Sequence, residues 1–163
     1  MAYAVTHVIL AIVVIDLIRH YFFKKKKFPR YLVLIGGIAG LAPDLDIVFS
    51  WIYNFFMGTN VSFHGGLTHS ILIPVLLLGI GYFLQTSKNI KWSKILYVIS
   101  FGWFFHLILD CVFGGYKYYL WPLPAINFCP QFAFSHYMIE IDAIILILWL
   151  LHEELHHKIK DYF

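Results

Sequence analysis

The chain has 163 residues, 61% of them hydrophobic and 13% charged, with a net charge of +3 and a mean hydropathy of +0.76. A soluble domain is about 45–50% apolar and about 25% charged, so a water-borne globule is excluded and much of the apolar surface must face lipid. The small net charge argues against nucleic acid as a partner, and the length suits one domain, residues 1–163.

In chain order, Tyr3 to Phe23 is the first stretch able to span a bilayer, which takes about 20 mostly apolar residues; it contains His7 and Asp16. It lacks a basic leader and is long enough to span, so it reads as a helix rather than a cleavable signal. A basic turn, Lys24 to Arg30, follows. Tyr31 to Met57 is a second span, expected to break at Pro43, where proline removes a backbone donor. Gly58 to Thr68 is a polar loop, Ser70 to Leu84 a short third span, and Gln85 to Lys94 a second basic turn. Ile95 to Phe113 is a fourth span. Gly114 to Tyr137 is aromatic, and Met138 to Leu151 opens a fifth span that runs into a polar tail. The expected fold is all-α: a polytopic membrane bundle of about five transmembrane helices, with no internal repeat.

Alternating spans put Lys24 to Arg30, Lys88 to Lys94, and Lys158 with Lys160 on one side. Basic residues flanking spans mark the cytoplasmic face. The N-terminus is therefore expected outside the cell membrane and the C-terminus in the cytoplasm. At about 1.5 Å per helical residue, His7, Asp44, Asp46, His64, His69, His106, Asp110, His136 and Glu140 fall into one layer. That layer lies roughly 17 to 27 Å above the cytoplasmic end.

Ionisable residues at membrane depth are expensive and usually functional, and imidazole with carboxylate is the ligand set of zinc. His106-x-x-x-Asp110 and His136-x-x-x-Glu140 each put two ligands on one helical face. Either pair alone also reads as a simple buried hydrogen bond. Pro43-Asp44-Leu45-Asp46 offers two carboxylates at a helix break; one of them ligates while the other orients a histidine or caps a half-helix. In His64-Gly65-Gly66-Leu67-Thr68-His69-Ser70 the glycines let His64 fold inward, and Thr68 either caps the next helix or holds a substrate oxyanion. His7 joins by depth.

Other polar residues are set aside. Asp16 pairs with Arg19 or His20; Glu153, Glu154, His156 and His157 form a solvated face; Asp142 is ambiguous. Gly36-Gly37-Ile38-Ala39-Gly40 is a small-residue packing surface. Cys111 and Cys129 fall on the same side, and their spacing leaves pairing open.

Thr6-His7, Pro43-Asp44-Leu45-Asp46, the His64 to Ser70 motif and His106-x-x-x-Asp110, in this order, resemble the YdjM-type membrane-bound metal-dependent hydrolases. A more distant similarity is to zinc-dependent phospholipase C, in ligand order only: His7, Asp44 or Asp46, His64 or His69, His106 with Asp110, His136 with Glu140. That resemblance implies a multi-zinc phosphoesterase.

The expected activity is hydrolysis of a phosphoester in a lipid or lipid-linked substrate at the outer side of the bilayer. Two or three Zn²⁺ ions, or other divalent metals, activate water. Asp110 bridges two of them, Asp44 or Asp46 is the general base, and Thr68 contacts the oxyanion. The competing readings are a metal-ion transporter, which needs polar residues along both halves of its path, and a non-catalytic metal-binding membrane protein.

Overall fold

The computed structural model describes residues 4–23, 28–114, 118–123, 129 and 138–157. Every regular element among the described residues is helical. The helices are α1 (Ala4–Tyr21), α2 (Tyr31–Ala39), α3 (Leu45–Met57), α4 (Leu72–Thr86), α5 (Ile90–Leu109) and α6 (Met138–His157). Short 3-10 turns at Ala42–Asp44 and Leu67–His69 lead into α3 and α4, and a π turn at Asp110–Gly114 extends α5.

Among the described residues, fourteen polar or charged side chains are buried against nine hydrophobic ones. Phe49, Trp51, Phe55 and Phe56 of α3 are exposed, while the same helix buries only Asp46 and Ser50. A water-soluble protein would do the reverse. The arrangement suits a lipid surround, in which apolar side chains face out and polar groups must find partners inside.

Two helical stretches, Ala4–Tyr21 and Ile90–Phe113, are long and apolar enough to cross a membrane. Tyr31–Ala39 and Ala42–Met57 make a third if the pair, bent by 41°, is one span. The five spans expected from sequence are thus two or three by length and composition. At 15 residues α4 is short, about 22 Å against a hydrocarbon core of about 30 Å. Helix α6 carries Glu140, Asp142, Glu153 and Glu154 within its apolar run.

Helix α5 packs against α1, α2 and α4, and α1 packs against α2 and α6. Glycines permit the close approach. A Cβ on Gly102 would run into the Gly36 carbonyl oxygen, and one on Gly36 into Ile15. The apolar core that results is small: Ile15 of α1, Leu32 and Val33 of α2, and Val98 of α5. Helix α2 stops at Ala39, and Gly40 and Leu41 precede the turn that carries Pro43. This break and the Leu67–His69 turn aim their polar side chains at the N-terminal end of α1 and the C-terminal end of α5.

Candidate metal centre

The cluster draws on α1, the C-terminal end of α5, the start of α3 and the two 3-10 turns. On α1 the buried residues His7, Ala11, Ile15 and Arg19 recur every four positions, which is one face of a helix. His106 and Asp110 share a face of α5 for the same reason. Asp44 closes the turn after the α2 break, and Asp46 sits in the first turn of α3. His69 ends the short turn before α4 and is fully buried.

His69 Nε2 lies 3.6 Å from Asp44 Oδ1 and 3.5 Å from Asp110 Oδ2. His106 Nε2 lies 3.6 Å from the same Asp44 oxygen and 3.7 Å from the same Asp110 oxygen. Four atoms from three segments thus form a ring of four contacts at 3.5–3.7 Å. Zinc bound tetrahedrally at about 2.0–2.2 Å would separate its ligand atoms by about 3.3–3.6 Å.

The hydrogen bonds fix which ring nitrogens face the centre. His106 Nδ1 lies 2.7 Å from the Gly40 carbonyl oxygen. A carbonyl only accepts, so Nδ1 carries the hydrogen and Nε2 of the neutral ring presents a lone pair. His69 Nδ1 is 3.1 Å from Asp46 Oδ2, which orients that ring in the same sense. The buried Nε2 of His106 makes no hydrogen bond. Lone pairs and carboxylate oxygens converging in a buried space repel one another unless a cation sits between them. A protonated imidazole would instead close on its carboxylate to about 2.7–2.9 Å.

Asp46 plays a different part from Asp44. Its Oδ1 receives His64 Nδ1 at 2.9 Å. Its Oδ2 accepts from Gly65 N at 3.1 Å and from the Thr68 hydroxyl at 2.7 Å, beside His69 Nδ1. Such outer hydrogen bonds orient metal-ligating histidines. The Thr68 hydroxyl donates its hydrogen to this carboxylate. Gly65, at φ 83°, adopts a left-handed conformation that only glycine takes without strain, and this brings its amide onto Asp46.

His7 stands beside the centre. Its ring stacks on His106 at 3.8 Å between centroids, and its Nε2 is 3.5 Å from Asp110 Oδ1. Asp110 therefore shows one oxygen to His69 and His106 and the other to His7. The ligand atoms of His7, His106 and Asp110 lie within 4.8 Å of one another, as do those of Asp44, His64 and His69.

One expected ligand stands apart. Glu140 is exposed in the first turn of α6 and joins neither group; His136 lies outside the described residues. The α6 carboxylate that turns inward is Asp142, which is buried and accepts a 2.6 Å hydrogen bond from the Thr6 hydroxyl. Glu140 and Asp142, two positions apart, point their side chains about 200° from each other on a helix, so only one of them can face α1. Sequence reasoning also missed Trp103, whose Nε1 donates to the Thr68 carbonyl at 2.8 Å. Its place three residues before His106, on the same helical face, was the available signal.

A cavity of about 490 Å³ opens outside Asp46, walled by Phe49, Phe63, His64, Tyr118 and Trp121. Residues 118–121 are tied down around it: Tyr118 N donates to Gly65 O, and Ile71 N to Tyr119 O. Cys111 and Cys129 form a disulfide, which joins the end of α5 to residues beyond this segment. Burial, and then the charge of Asp110, push the Tyr119 hydroxyl above its ordinary pKa, so it stays a hydrogen-bond donor.

The family model of the YdjM inner membrane proteins matches residues 1–161. The chain belongs to the YdjM inner membrane protein family. It is therefore a membrane protein, and the motifs that carried the sequence resemblance are those that build this centre. No curated protein matches the chain, and no solved structure does. The similarity to zinc-dependent phospholipase C is left resting on ligand order, and Glu140, one member of that order, stands outside the cluster.

Proposed function

We propose that this protein is a membrane-embedded, metal-dependent hydrolase that cleaves a phosphoester of a lipid or lipid-linked substrate at the extracytoplasmic side. The observation that carries this reading is the square of contacts among Asp44, His69, His106 and Asp110, at 3.5–3.7 Å, with lone pairs and carboxylate oxygens turned inward. Zinc is the metal this donor set suits best.

In this reading Asp44, His69, His106 and Asp110 would hold one ion, and His7 with Asp110 would serve a second. Metal ions at such a site lower the pKa of water to about 7 and stabilise phosphoryl oxygens. Asp46 orients His64 and His69 and holds Thr68. The Asp44 side chain, 23% exposed, is the open side of the ion cage. Next to its turn runs an apolar groove of about 420 Å³ between Ile35, Ile38, Leu41, Leu45 and Ile99. A hydrocarbon tail lying there leaves the headgroup beside Asp44, which is why a lipid substrate is favoured over a soluble one.

The proposed topology has five spans, α1, the bent α2–α3 pair, α4, α5 and α6, with the N-terminus outside. The bent pair is one span whose helix fails at residues 40–44, because Pro43 has no amide hydrogen for the Ala39 carbonyl. The disulfide supports placing the end of α5 outside, since disulfides persist in oxidising compartments.

One observation favours a non-catalytic metal site. Four protein ligands around one ion make a closed coordination shell, as in structural zinc sites, whereas catalytic sites keep a position open. The two readings part at the second ion beside His7, where water would bind. The experiment is a hydrolysis screen of phospholipids and polyprenyl phosphates with zinc-loaded protein in detergent. Turnover that disappears in both His106→Ala and His7→Ala supports the hydrolase. Bound zinc with no turnover on any phosphoester would leave the non-catalytic reading standing.

A further inference from the structure

Helix α6 packs along α1 and meets it with polar side chains. Near the start of both helices Asp142 accepts the Thr6 hydroxyl at 2.6 Å. Further along, Trp149 Nε1 donates to Asp16 Oδ2 at 3.4 Å. Glu153, on the same face of α6, is buried as well, which corrects the solvated face expected there; Glu154 beside it is exposed. Lipid gives apolar helices no drive to associate with one another, so polar contacts of this kind help decide how they dock.

The Thr6–Asp142 contact bears on the candidate centre because Thr6 precedes His7. Successive helical residues point about 100° apart, so Thr6 meets α6 while His7 meets α5, stacking on His106 and facing Asp110 at 3.5 Å. The other two imidazoles are oriented through their own Nδ1 atoms, His106 by the Gly40 carbonyl and His69 by Asp46. Among the described residues nothing hydrogen-bonds the buried Nδ1 of His7. The aim of this ring therefore depends on how α1 is turned about its axis. A turn of about 20° carries an atom about 6 Å from the axis through about 2 Å, whereas a binding constellation has to be held to roughly 0.5 Å. The first four amides of a helix have no acceptor within it, so this end of α1 depends on contacts from outside. The bond between the buried Thr6 and Asp142 is one that also fixes the rotation.

We propose that Asp142 is a positioning residue of the candidate centre: through the Thr6 hydroxyl it sets the rotation of α1 and so aims His7 at Asp110. Its consequence for metal binding rests on the reading in which His7 serves a second ion; its geometry does not.

The test uses full-length protein in detergent. In the metal-stripped state the His7 ring signal in a histidine NMR spectrum is the one missing from His7→Ala. Because that ring lies 3.8 Å from the His106 ring, its signal responds to their overlap. Thr6→Val, which keeps the shape and removes the hydroxyl, should shift the signal, and so should Asp142→Ala. Thr6→Ser, which keeps the hydroxyl, should leave it near the wild-type position. In zinc titrations of the same proteins, Thr6→Val and Asp142→Ala should weaken the looser equivalent about 10–100-fold and leave the tighter one within about threefold. The double variant should be no worse than either single one, since all three lose the same bond. If Asp142→Ala does not fold, Thr6→Val against Thr6→Ser decides. A His7 signal that ignores Thr6→Val, or that moves equally in Thr6→Ser, would overturn the proposal. Wild-type protein that binds a single zinc would remove the second ion instead, and the ring signal would still decide whether Asp142 positions His7.

Discussion

His106 is anchored by a backbone carbonyl that the break after α2 releases. In an unbroken helix the Gly40 oxygen would accept from the Asp44 amide; here that amide turns to Leu41 at 3.1 Å, and Gly40 receives His106 Nδ1 at 2.7 Å. The same break carries the Asp44 carboxylate to the other nitrogen of that imidazole, Nε2, at 3.6 Å. One local event in the backbone thus both orients one side chain of the candidate site and supplies another.

Removing either inward imidazole should abolish tight metal binding. His106→Ala and His69→Ala each delete one of four donors around the first ion, and both are expected to lower zinc affinity by several orders of magnitude. Competition titration against a chromophoric chelator reads this directly. Affinity within threefold of wild type in both variants would show that the four atoms do not share an ion.

Asp46 should matter less than Asp44, although both are carboxylates two residues apart. Asp46→Asn keeps the shape but weakens the orientation of His64 and His69, and loss of such an outer partner typically reduces metal affinity about 10–100-fold. Asp44→Asn should do more, because it removes a ligand charge. Thr68→Val deletes a hydrogen bond to a carboxylate, worth about 1.5–3 kcal/mol, and should lower metal affinity while Thr68→Ser does not. The reverse order, with Asp46 more damaging than Asp44, would exchange their roles.

Much of this was legible because helical spacing and depth are one-dimensional quantities. His106 with Asp110, and His7 at matching depth, follow from 3.6 residues per turn and 1.5 Å per residue. Which of Asp44 and Asp46 faces His69 and His106 through their Nε2 atoms was not legible, since it depends on how the Ala42–Asp44 turn aims its last side chain. Glu140 and Asp142 show the same limit. Both lie at the right depth, but the rotation of α6 about its own axis decides which one enters. That rotation is set by packing against α1, where the Thr6 hydroxyl meets Asp142. Glu153 was misplaced for a related reason, because a run of charged residues near a helix end resembles a solvated face until the neighbouring helix is known.

Gly102 should tolerate no side chain. A Cβ there meets the Gly36 carbonyl oxygen and the Ala39 side chain, so α5 and α2 would have to separate. Overpacking of this kind typically costs about 1–3 kcal/mol. Gly102→Ala is expected to lower the thermal unfolding midpoint in detergent and also zinc affinity, because the same displacement moves His106 away from Gly40. Gly79, around which a Cβ meets nothing, is the control: Gly79→Ala should be neutral or slightly stabilising.

His7 separates holding a metal from using it. It stacks on His106 and faces the Asp110 oxygen that the first ion leaves over. His7→Ala should therefore keep one tightly bound zinc, since none of the four atoms around that ion is lost, and should release a second, weaker one. If the second ion carries the reacting water, turnover should fall by at least a hundredfold while the first zinc stays in place. Stoichiometry by elemental analysis and hydrolysis rates on the same preparation answer the question together. A His7→Ala protein that retains full activity would remove the second ion from the mechanism, and one that loses all its zinc would place His7 at the first.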